Sequence, residues 1–444
     1  MSSTRINSAQ TKAACEARSR FFVDRFYPNT WAQQLALWER DMPRIASSLR
    51  RHTDRYSNFI NLIASECLPS EAVLSASGSL FMSQTVEGER GSRWFPCTDA
   101  IDEIEDGISR SCETLFGLEC ASAQPHTATQ ANQAVMYALV EPGARVMSLS
   151  LSDGGHLSHG YANTLASSSY EIHPYHVAPD TGLIDYDALE LHAKRLRPQM
   201  IITGSSTYPR AIDYKRVSSL CAELGSVHLA DITHPAGMVC SGLHPAVDSA
   251  DVVTLSLHKT MCGNRGGLIC SKPEHGPAIR RAVFPGIQSA ALPNMVLAKA
   301  ISLLGATRCE FGDLQARIRS NAVALAEALV SLGHEVWTGG TDSHLVMLKA
   351  PAHLPALECE ERLAGAGILS NRNLMPGDSK VGTGLRLGTI AVTQIGFAER
   401  DMRQTARTID LALSDGADLS RAREDVAQLL DRVLCEARDG TTAR

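Results

Sequence analysis

Apolar and polar positions along this 444-residue chain switch repeatedly between a helical and an extended period. "TQANQAVMYALVEPGARVMSLSL" has helical spacing from about Thr129, breaks at Pro142-Gly143 and resumes as a strand from Arg145 to Leu151. "DYDALELHAKRLRPQMIITGSS" repeats the order, and "YKRVSSLCAELGSVHLADITH" does so again with Gly225 as the break. Short apolar strands separated by amphipathic helices predict an α/β fold with a mostly parallel sheet covered on both faces. In such sheets ligands collect at the carboxyl ends of the strands. Asp231, His234 and Lys259 fall at such ends.

The texture changes from about Cys309, where "FGDLQARIRSNAVALAEALVSLG" puts Leu314, Ile318, Ala322, Leu325, Leu329 and Leu332 on one helical face. Strands near "SHLVMLKA" and "GLRLGT", a helix around Met402 to Leu413 and a last helix carrying Val426, Leu429, Leu430, Val433 and Leu434 predict a smaller α+β domain. Residues 1–58 are helical in pattern and carry Trp31 and Trp38 but no evident chemistry. The expected organisation is an N-terminal helical arm over 1–58, packing on a partner subunit or serving as a flexible leader, a large domain over 59–305 and a small one over 306–444. No internal repeat or low-complexity segment interrupts this order.

Bulk properties exclude several classes. Forty-two Lys+Arg against 48 Asp+Glu give a formal charge of -6 without a block of like charges, so nucleic acid is not an expected partner. Twelve cysteines run from Cys15 to Cys435 with no Cys-x-x-Cys pair, which predicts packed, reduced thiols of a cytoplasmic protein and no metal site. No apolar run reaches the roughly 18 residues of a membrane span. The start "MSSTRINSAQTKAACEARSR" lacks the apolar centre of a secretory signal, and its Arg, Ser and scarce acids leave a transit peptide as the alternative.

Four pieces of candidate chemistry remain. In "DVVTLSLHKTMCGNRGGLIC" a buried strand runs into His258 and Lys259. Burial lowers a lysine's pKa and makes its amine a nucleophile, the requirement of Schiff-base chemistry, although the side chain could also reach solvent past the strand end. In "AQPHTATQAN" Thr127, Ala128 and Thr129 precede a helix start, which is either an anion cradle or an ordinary N-cap. Asp231 in "LADITHPAG" could pair with a protonated ring nitrogen or merely cap a turn. His156 and His159 in "SDGGHLSHG" are structural histidines or a ring that stacks on a flat heteroaromatic group. Phosphate cradle, carboxylate, stacking imidazole and lysine together are the parts of a pyridoxal-phosphate site.

"NLIASECLPSEAVL", "VEGERGSRWF", "AQPHTATQAN", "DGGHLSHG", "DITHPAGMVCSGLHP", "HKTMCGNRGG", "TDSHLVML", "NRNLMPGD" and "GLRLGTIAVTQIGF" resemble, in order over roughly residues 58 to 413, segments of the serine hydroxymethyltransferase family. The resemblance implies a fold-type I pyridoxal-phosphate transferase, aspartate aminotransferase-like, with a seven-stranded type of sheet in the large domain. It also implies sites shared in a homodimer or dimer of dimers. Carried over position by position, it makes Lys259 the residue that holds the cofactor as a Schiff base, Asp231 the partner of the pyridine nitrogen and His156 the stacked ring. Thr127, Ala128 and Thr129 become phosphate contacts, His234 and Ser206 lie near the phenolic oxygen, and Gly286 opens the turn that touches the partner's phosphate. Arg386 matches the guanidinium that grips the substrate carboxylate, which a two-pronged donor fixes well. Ser65 assists it, Phe95 lies beside it, and Glu87 matches the proton-shuttling glutamate.

The implied reaction is cleavage or formation of the Cα–Cβ bond of a β-hydroxy-α-amino acid through a glycine carbanion, with an amino acid and an aldehyde as small-molecule substrates. The chain departs from the family where a "YAEGYPGKRYY" stretch reads "TVEGERGSRWF": Thr85, Trp94 and Phe95 replace tyrosines. The "GQGGP" turn reads "GIQSAALP", and the loop from Asn373 to Arg386 is a few residues short. Leu151, Gly155, Leu157 and Asn373, which match folate contacts, are kept. The favoured expectation is a folate-independent L-threonine transaldolase or aldolase of specialised metabolism. The alternatives are a tetrahydrofolate-dependent serine hydroxymethyltransferase and a non-catalytic paralogue that binds pyridoxal phosphate.

Overall fold

A computed structural model describes residues 8–26, 31–378 and 380–438. Its centre is a seven-stranded sheet built from β1 (Cys120–Ser122), β2 (Arg145–Leu149), β3 (Glu171–Tyr175), β4 (Met200–Thr203), β5 (Val227–Asp231), β6 (Val252–Ser256) and β7 (Gly267–Ser271). The spatial order is β1-β7-β6-β5-β4-β2-β3. Strands β3, β2, β4, β5 and β6 run parallel, and β7 is antiparallel to both β6 and β1. Every residue of β6 is buried, as expected of a strand covered by helices on both faces. Burying each such Val or Leu contributes about 1.5–3 kcal/mol. The two cores on either side of the sheet include Met147, Ile201, Ala230 and Leu255 on one face and Val146, Ile202, Leu229 and Val252 on the other. Successive residues of one strand thus point to opposite layers.

A second sheet of three antiparallel strands, β8 (Leu345–Lys349), β9 (Asn371–Asn373) and β10 (Gly384–Gly388), has the order β8-β10-β9. The helices Cys309–Ser331, Glu399–Leu413 and Leu419–Arg438 pack around a third core, where Val426, Leu429, Leu430 and Val433 are buried as their spacing predicts.

The N-terminal helices Ser8–Phe26, Trp31–Asp41 and Pro43–Asn58 precede the large sheet in sequence. They pack on their own chain. Arg18 pairs with Asp431 at 2.9 Å and donates to Asn58 at 3.0 Å, and Ser19 donates to Asp54. Phe22, Ile60 and Leu62 share a core with Val346 and Leu385, and Ile60–Asn61 pairs in parallel with Ile368–Leu369. Phe22 and residues 60–62 therefore share the core of the smaller sheet.

No helix among the described residues is long and apolar enough to cross a membrane.

Candidate active site

The carboxyl ends of the parallel strands carry the chemistry. Asp231 is the last residue of β5, Lys259 follows β6 by three residues, and Thr127 to Thr129 are the N-cap and first residues of the Ala128–Leu139 helix that follows β1. Two glycines let these pieces meet. Gly204, after β4, has φ +131°, and a Cβ there would sit 2.2 Å from the Asp231 carbonyl oxygen. A Cβ on Gly267 would sit 2.3 Å from the Thr127 carbonyl oxygen, so the turn behind Lys259 lies directly against the helix start.

The result is one cleft of about 750 Å³. It is lined by Ser65, Thr127, Ala128, Thr129, His156, Ser206, Asp231, His234, Lys259 and Arg386, which brings ten sequence-derived candidates to one place. Leu151, Gly155, Leu157 and Asn373 line it as well. Glu87, Phe95 and Gly286 do not, among the described residues. Glu87 enters the Gly88–Glu89 and Ser92–Arg93 hairpin. That hairpin packs beside residues 284–291: Trp94 lies edge-on to Phe284 at 4.9 Å, and Ala291 donates to the Val86 carbonyl. Gly286 sits against Tyr137, on the outer side of the Ala128–Leu139 helix. Trp94 is 68% exposed, and Leu80, Met82 and Tyr137 are exposed as well.

Lys259 is buried, has no carboxylate partner among the described residues, and lies 3.0 Å from His234 Nε2. Burial pulls its amine down to about 7; Asp231 opposes that shift while Arg386 and Arg265 add to it. Asp231 is also buried. Burial alone would raise its carboxyl, but the His159 hydrogen bond at 2.9 Å and the nearby imidazoles hold it well below the usual range. Asn132 donates to the same oxygen at 2.8 Å, and the Thr233 amide donates to the other at 3.0 Å. The carboxylate is therefore ionised and rigid, and it faces the cleft. His156, His159 and Asp231 also bring three potential ligand atoms within 4.8 Å of one another. A protonated heteroaromatic nitrogen would answer that carboxylate equally well.

His156 accepts from the Ser158 amide at Nδ1, which leaves its proton on Nε2. Burial pushes this ring down to about 4, so it is a neutral plane suited to stacking. Thr127 is the N-cap of its helix, accepting from the Gln130 amide at 3.0 Å. The cap and the cradle are compatible, because the hydroxyl proton of Thr127 stays free to donate to an anion.

Arg386, in β10, is 8% exposed. It donates to the Ser206 carbonyl and to Asn371 and forms no ion pair among the described residues. Burial lowers it to about 10, so it stays charged at neutral pH with N–H groups to spare. Lys259, Arg265, Arg372, Lys380 and Arg386 line the cleft against the single carboxylate of Asp231. Only Arg372 of the five is paired with an acid, Glu360. An acidic chain has thus concentrated positive charge in one cavity, which fits a phosphate at the helix start and a carboxylate at Arg386.

The sequence did not point to Arg265, Arg372, Lys380, Asn132 or His344 as parts of this site. The first three were visible as basic residues, but at exposed positions a basic residue carries no signal of its own. Lys259 as nucleophile, Asp231 as partner of a ring nitrogen, His156 as a flat neutral ring and the Thr127–Thr129 helix start as anion cradle are the donor set that pyridoxal phosphate requires. A model described as serine hydroxymethyltransferase matches residues 38–409, most of the chain. The cleft and the match agree, and this chain belongs to the serine hydroxymethyltransferase family of fold-type I, pyridoxal-phosphate-dependent enzymes.

Proposed function

We propose that the protein makes and breaks the Cα–Cβ bond of β-hydroxy-α-amino acids, and that it does so as a folate-independent L-threonine transaldolase or aldolase. The observation that carries the Cα chemistry is the buried, acid-free Arg386 opening on the same cleft as Lys259 and Asp231. Bound pyridoxal phosphate supplies an electron sink for a bond broken at Cα. The chain supplies everything else. Arg386, with Ser65 lining the same cleft, would grip the substrate carboxylate and so orient the Cα bond that is to be broken. Asp231 would pair with the protonated ring nitrogen of the bound cofactor, His156 would lie against its ring, and Lys259 would offer an uncharged amine.

Glu87 is the proton-handling group for the β-hydroxyl, and in this reading it comes from a second copy of the chain. Its hairpin lies off the cleft and is followed by the exposed Trp94, and Leu80, Met82 and Tyr137 are exposed too; large exposed apolar side chains of this kind are what a partner covers. The same copy would bring Trp94, Phe95 and Gly286 to the cleft, in a homodimer or dimer of dimers. Thr85 and Phe95 in place of tyrosines, and Ser289-Ala290 in place of a glycine pair, remove polar and flexible features from that face. Such losses favour retro-aldol release of an aldehyde over transfer of a one-carbon unit from folate. A tetrahydrofolate-dependent serine hydroxymethyltransferase is the second reading, favoured by Leu151, Gly155, Leu157 and Asn373 all lining the cleft.

Product analysis separates the two. L-threonine should release acetaldehyde without folate, and an added acceptor aldehyde should increase turnover. Tetrahydrofolate-stimulated conversion of serine to glycine, with negligible threonine turnover, would establish the second reading instead.

A further inference from the structure

Behind Lys259 runs a line of polar atoms that ends on the backbone. Lys259 Nζ lies 3.0 Å from His234 Nε2, His234 Nδ1 lies 3.2 Å from His344 Nε2, and His344 Nε2 lies 3.1 Å from the Ala64 carbonyl oxygen. The two imidazole centroids are 5.3 Å apart with planes 16° from parallel. That separation exceeds the N···N distance by about two ring radii. The rings therefore meet edge to edge in nearly one plane, as a hydrogen-bonded pair does, and are not stacked face to face.

The direction of every bond in the line follows from its last member. A carbonyl oxygen only accepts, so His344 carries a proton on Nε2. His344 Nδ1 is buried without a partner, as suits a neutral ring whose one proton sits on the other nitrogen. The Nε2–H of His344 is then shared between the Ala64 oxygen and His234 Nδ1. His234 Nδ1 must accept, because two N–H groups facing each other at that distance repel. The proton of His234 consequently lies on Nε2, aimed at Lys259. An N–H needs a lone pair to receive it, and an ammonium has none. Ala64 itself cannot shift easily, since Gly388 packs so closely that a Cβ there would fall 2.3 Å from the Ala64 Cα.

We propose that His344 is a positioning residue that fixes His234 as its Nε2–H tautomer and thereby holds the Lys259 amine uncharged. The proposal rests on Lys259 being the reactive lysine of the function proposed above. The groups facing Lys259 leave its charge finely balanced, with burial, Arg386 and Arg265 against the ammonium and the Asp231 carboxylate for it, at a midpoint of about 7. A donor or an acceptor at His234 decides the outcome near neutral pH. His234 in turn faces Lys259, Arg386, His344 and His156, and His344 faces Lys259, Arg386 and His244, all of which disfavour a second proton on either ring. Once the cofactor is bound, the same tautomer offers the Nε2–H of His234 to it as a donor.

The test uses the full chain freed of cofactor. Trace acylation with acetic anhydride across pH, with Lys259 followed by peptide mass spectrometry, reads the titration of its amine directly. His344→Leu removes the donor and lets His234 turn Nε2 into an acceptor for an ammonium. The Lys259 midpoint should rise by at least one pH unit, and labelling at pH 7 should fall about tenfold. His344→Gln, which keeps an N–H near the place of Nε2, should restore most of the wild-type midpoint. An unchanged midpoint in His344→Leu with an intact circular dichroism spectrum, or equal shifts in both variants, would overturn the proposal. Nitrogen-15 NMR of the histidine-labelled wild-type chain decides independently of any variant: His234 must show a protonated Nε2, and a protonated Nδ1 defeats the assignment. Acylation follows the amine whether or not the cofactor attaches to it. A failure here is therefore distinguishable from a failure of Lys259 to carry the cofactor.

Discussion

Arg386 Nη1 donates to the Ser206 carbonyl oxygen at 2.9 Å across 180 residues of sequence, and that contact turns a buried guanidinium toward the cleft and not toward an acid. Its remaining N–H groups form a fork that only a planar anion can satisfy bidentately. Arg386→Lys keeps the charge but loses the fork, and hydrogen bonds to a charged group contribute about 1.5–3 kcal/mol. The dissociation constant for glycine or threonine should rise roughly 10- to 100-fold. Retention of pyridoxal phosphate should change little. Titrating both ligands by absorbance checks this, and equal losses would make Arg386 a structural residue.

Lys259→Ala should abolish the cofactor linkage that borohydride traps, and in the wild type the reduced group should map to the peptide containing Lys259. The protonated amine is not a nucleophile, so attachment depends on the neutral fraction. With a midpoint of about 7, that fraction falls about tenfold per pH unit below 6 and saturates above 8. Stopped-flow capture of the cofactor by the free chain should therefore rise through pH 7 and level off. A midpoint near 10 would show an ordinary, solvated lysine.

The alternating helices and strands of the large sheet were legible because burial on two faces leaves an unmistakable apolar run, as in β6. The same property made Lys259 and Asp231 conspicuous, since each is a charge at the end of such a run. His344 was not legible as part of the site: in "TDSHLVML" it reads as the polar start of a strand, and its partner His234 lies 110 residues away. The packing of the N-terminal helices was hidden for the same reason, because Arg18 and Asp431 are 413 residues apart. Lys299 did leave a signal, a lone cation within the apolar "MVLAKAISLL", but nothing local states what it meets.

Lys299 meets three carbonyl oxygens, those of Ala123 at 2.5 Å, Pro125 at 2.9 Å and Gly267 at 2.8 Å. Burial pulls its amine down, yet three acceptors match the three N–H groups of an ammonium and hold the proton. The side chain thus ties the segment before the Thr127 cradle to the turn behind Lys259. Lys299→Met retains the length and removes the donors, which should cost about 3 kcal/mol of stability through underused buried carbonyls. The cofactor should also dissociate faster. Urea unfolding and the dissociation rate are the measurements, and a variant as stable as the wild type would deny the clamp.

Acid should destabilise the protein well above the carboxylate range. Burial pushes His156, His228 and His244 each down to about 4, whereas in an unfolded chain they titrate near 6.5. A depressed imidazole contributes stability that is complete above 6.5 and is lost as pH falls toward 4, because the unfolded chain takes up protons that the fold refuses. Each such group adds about 1.4 kcal/mol per pH unit within that window. The urea midpoint should drop steadily as pH falls from 6.5 to 4.5. His228 lies away from the cleft between Thr203 and Ser218, so His228→Gln should reduce the slope without touching the site. A flat profile from pH 7 to 5 would count against the buried neutral imidazoles.

Of the residues proposed for catalysis, one does not line the cleft of its own chain. Lys259, Asp231 and Arg386 line the cleft, whereas Glu87 lies in the hairpin that packs beside Phe284 and Gly286. If a second copy closes the cleft, a Glu87→Gln chain and a Lys259→Ala chain are each inactive alone but complement each other when mixed. Random exchange makes half of all dimers mixed. One of the two sites in each mixed dimer then combines an intact Lys259 with an intact Glu87, so about a quarter of wild-type activity should return. Unfolding and refolding the variants together, then assaying aldehyde release from threonine, performs the experiment. No recovery, from mixtures shown by mass to contain mixed dimers, would place Glu87 and Lys259 in the same chain's site and require the hairpin to swing onto its own cleft. Recovery near a quarter would instead keep the hairpin off its own cleft and make it the wall of its neighbour's site.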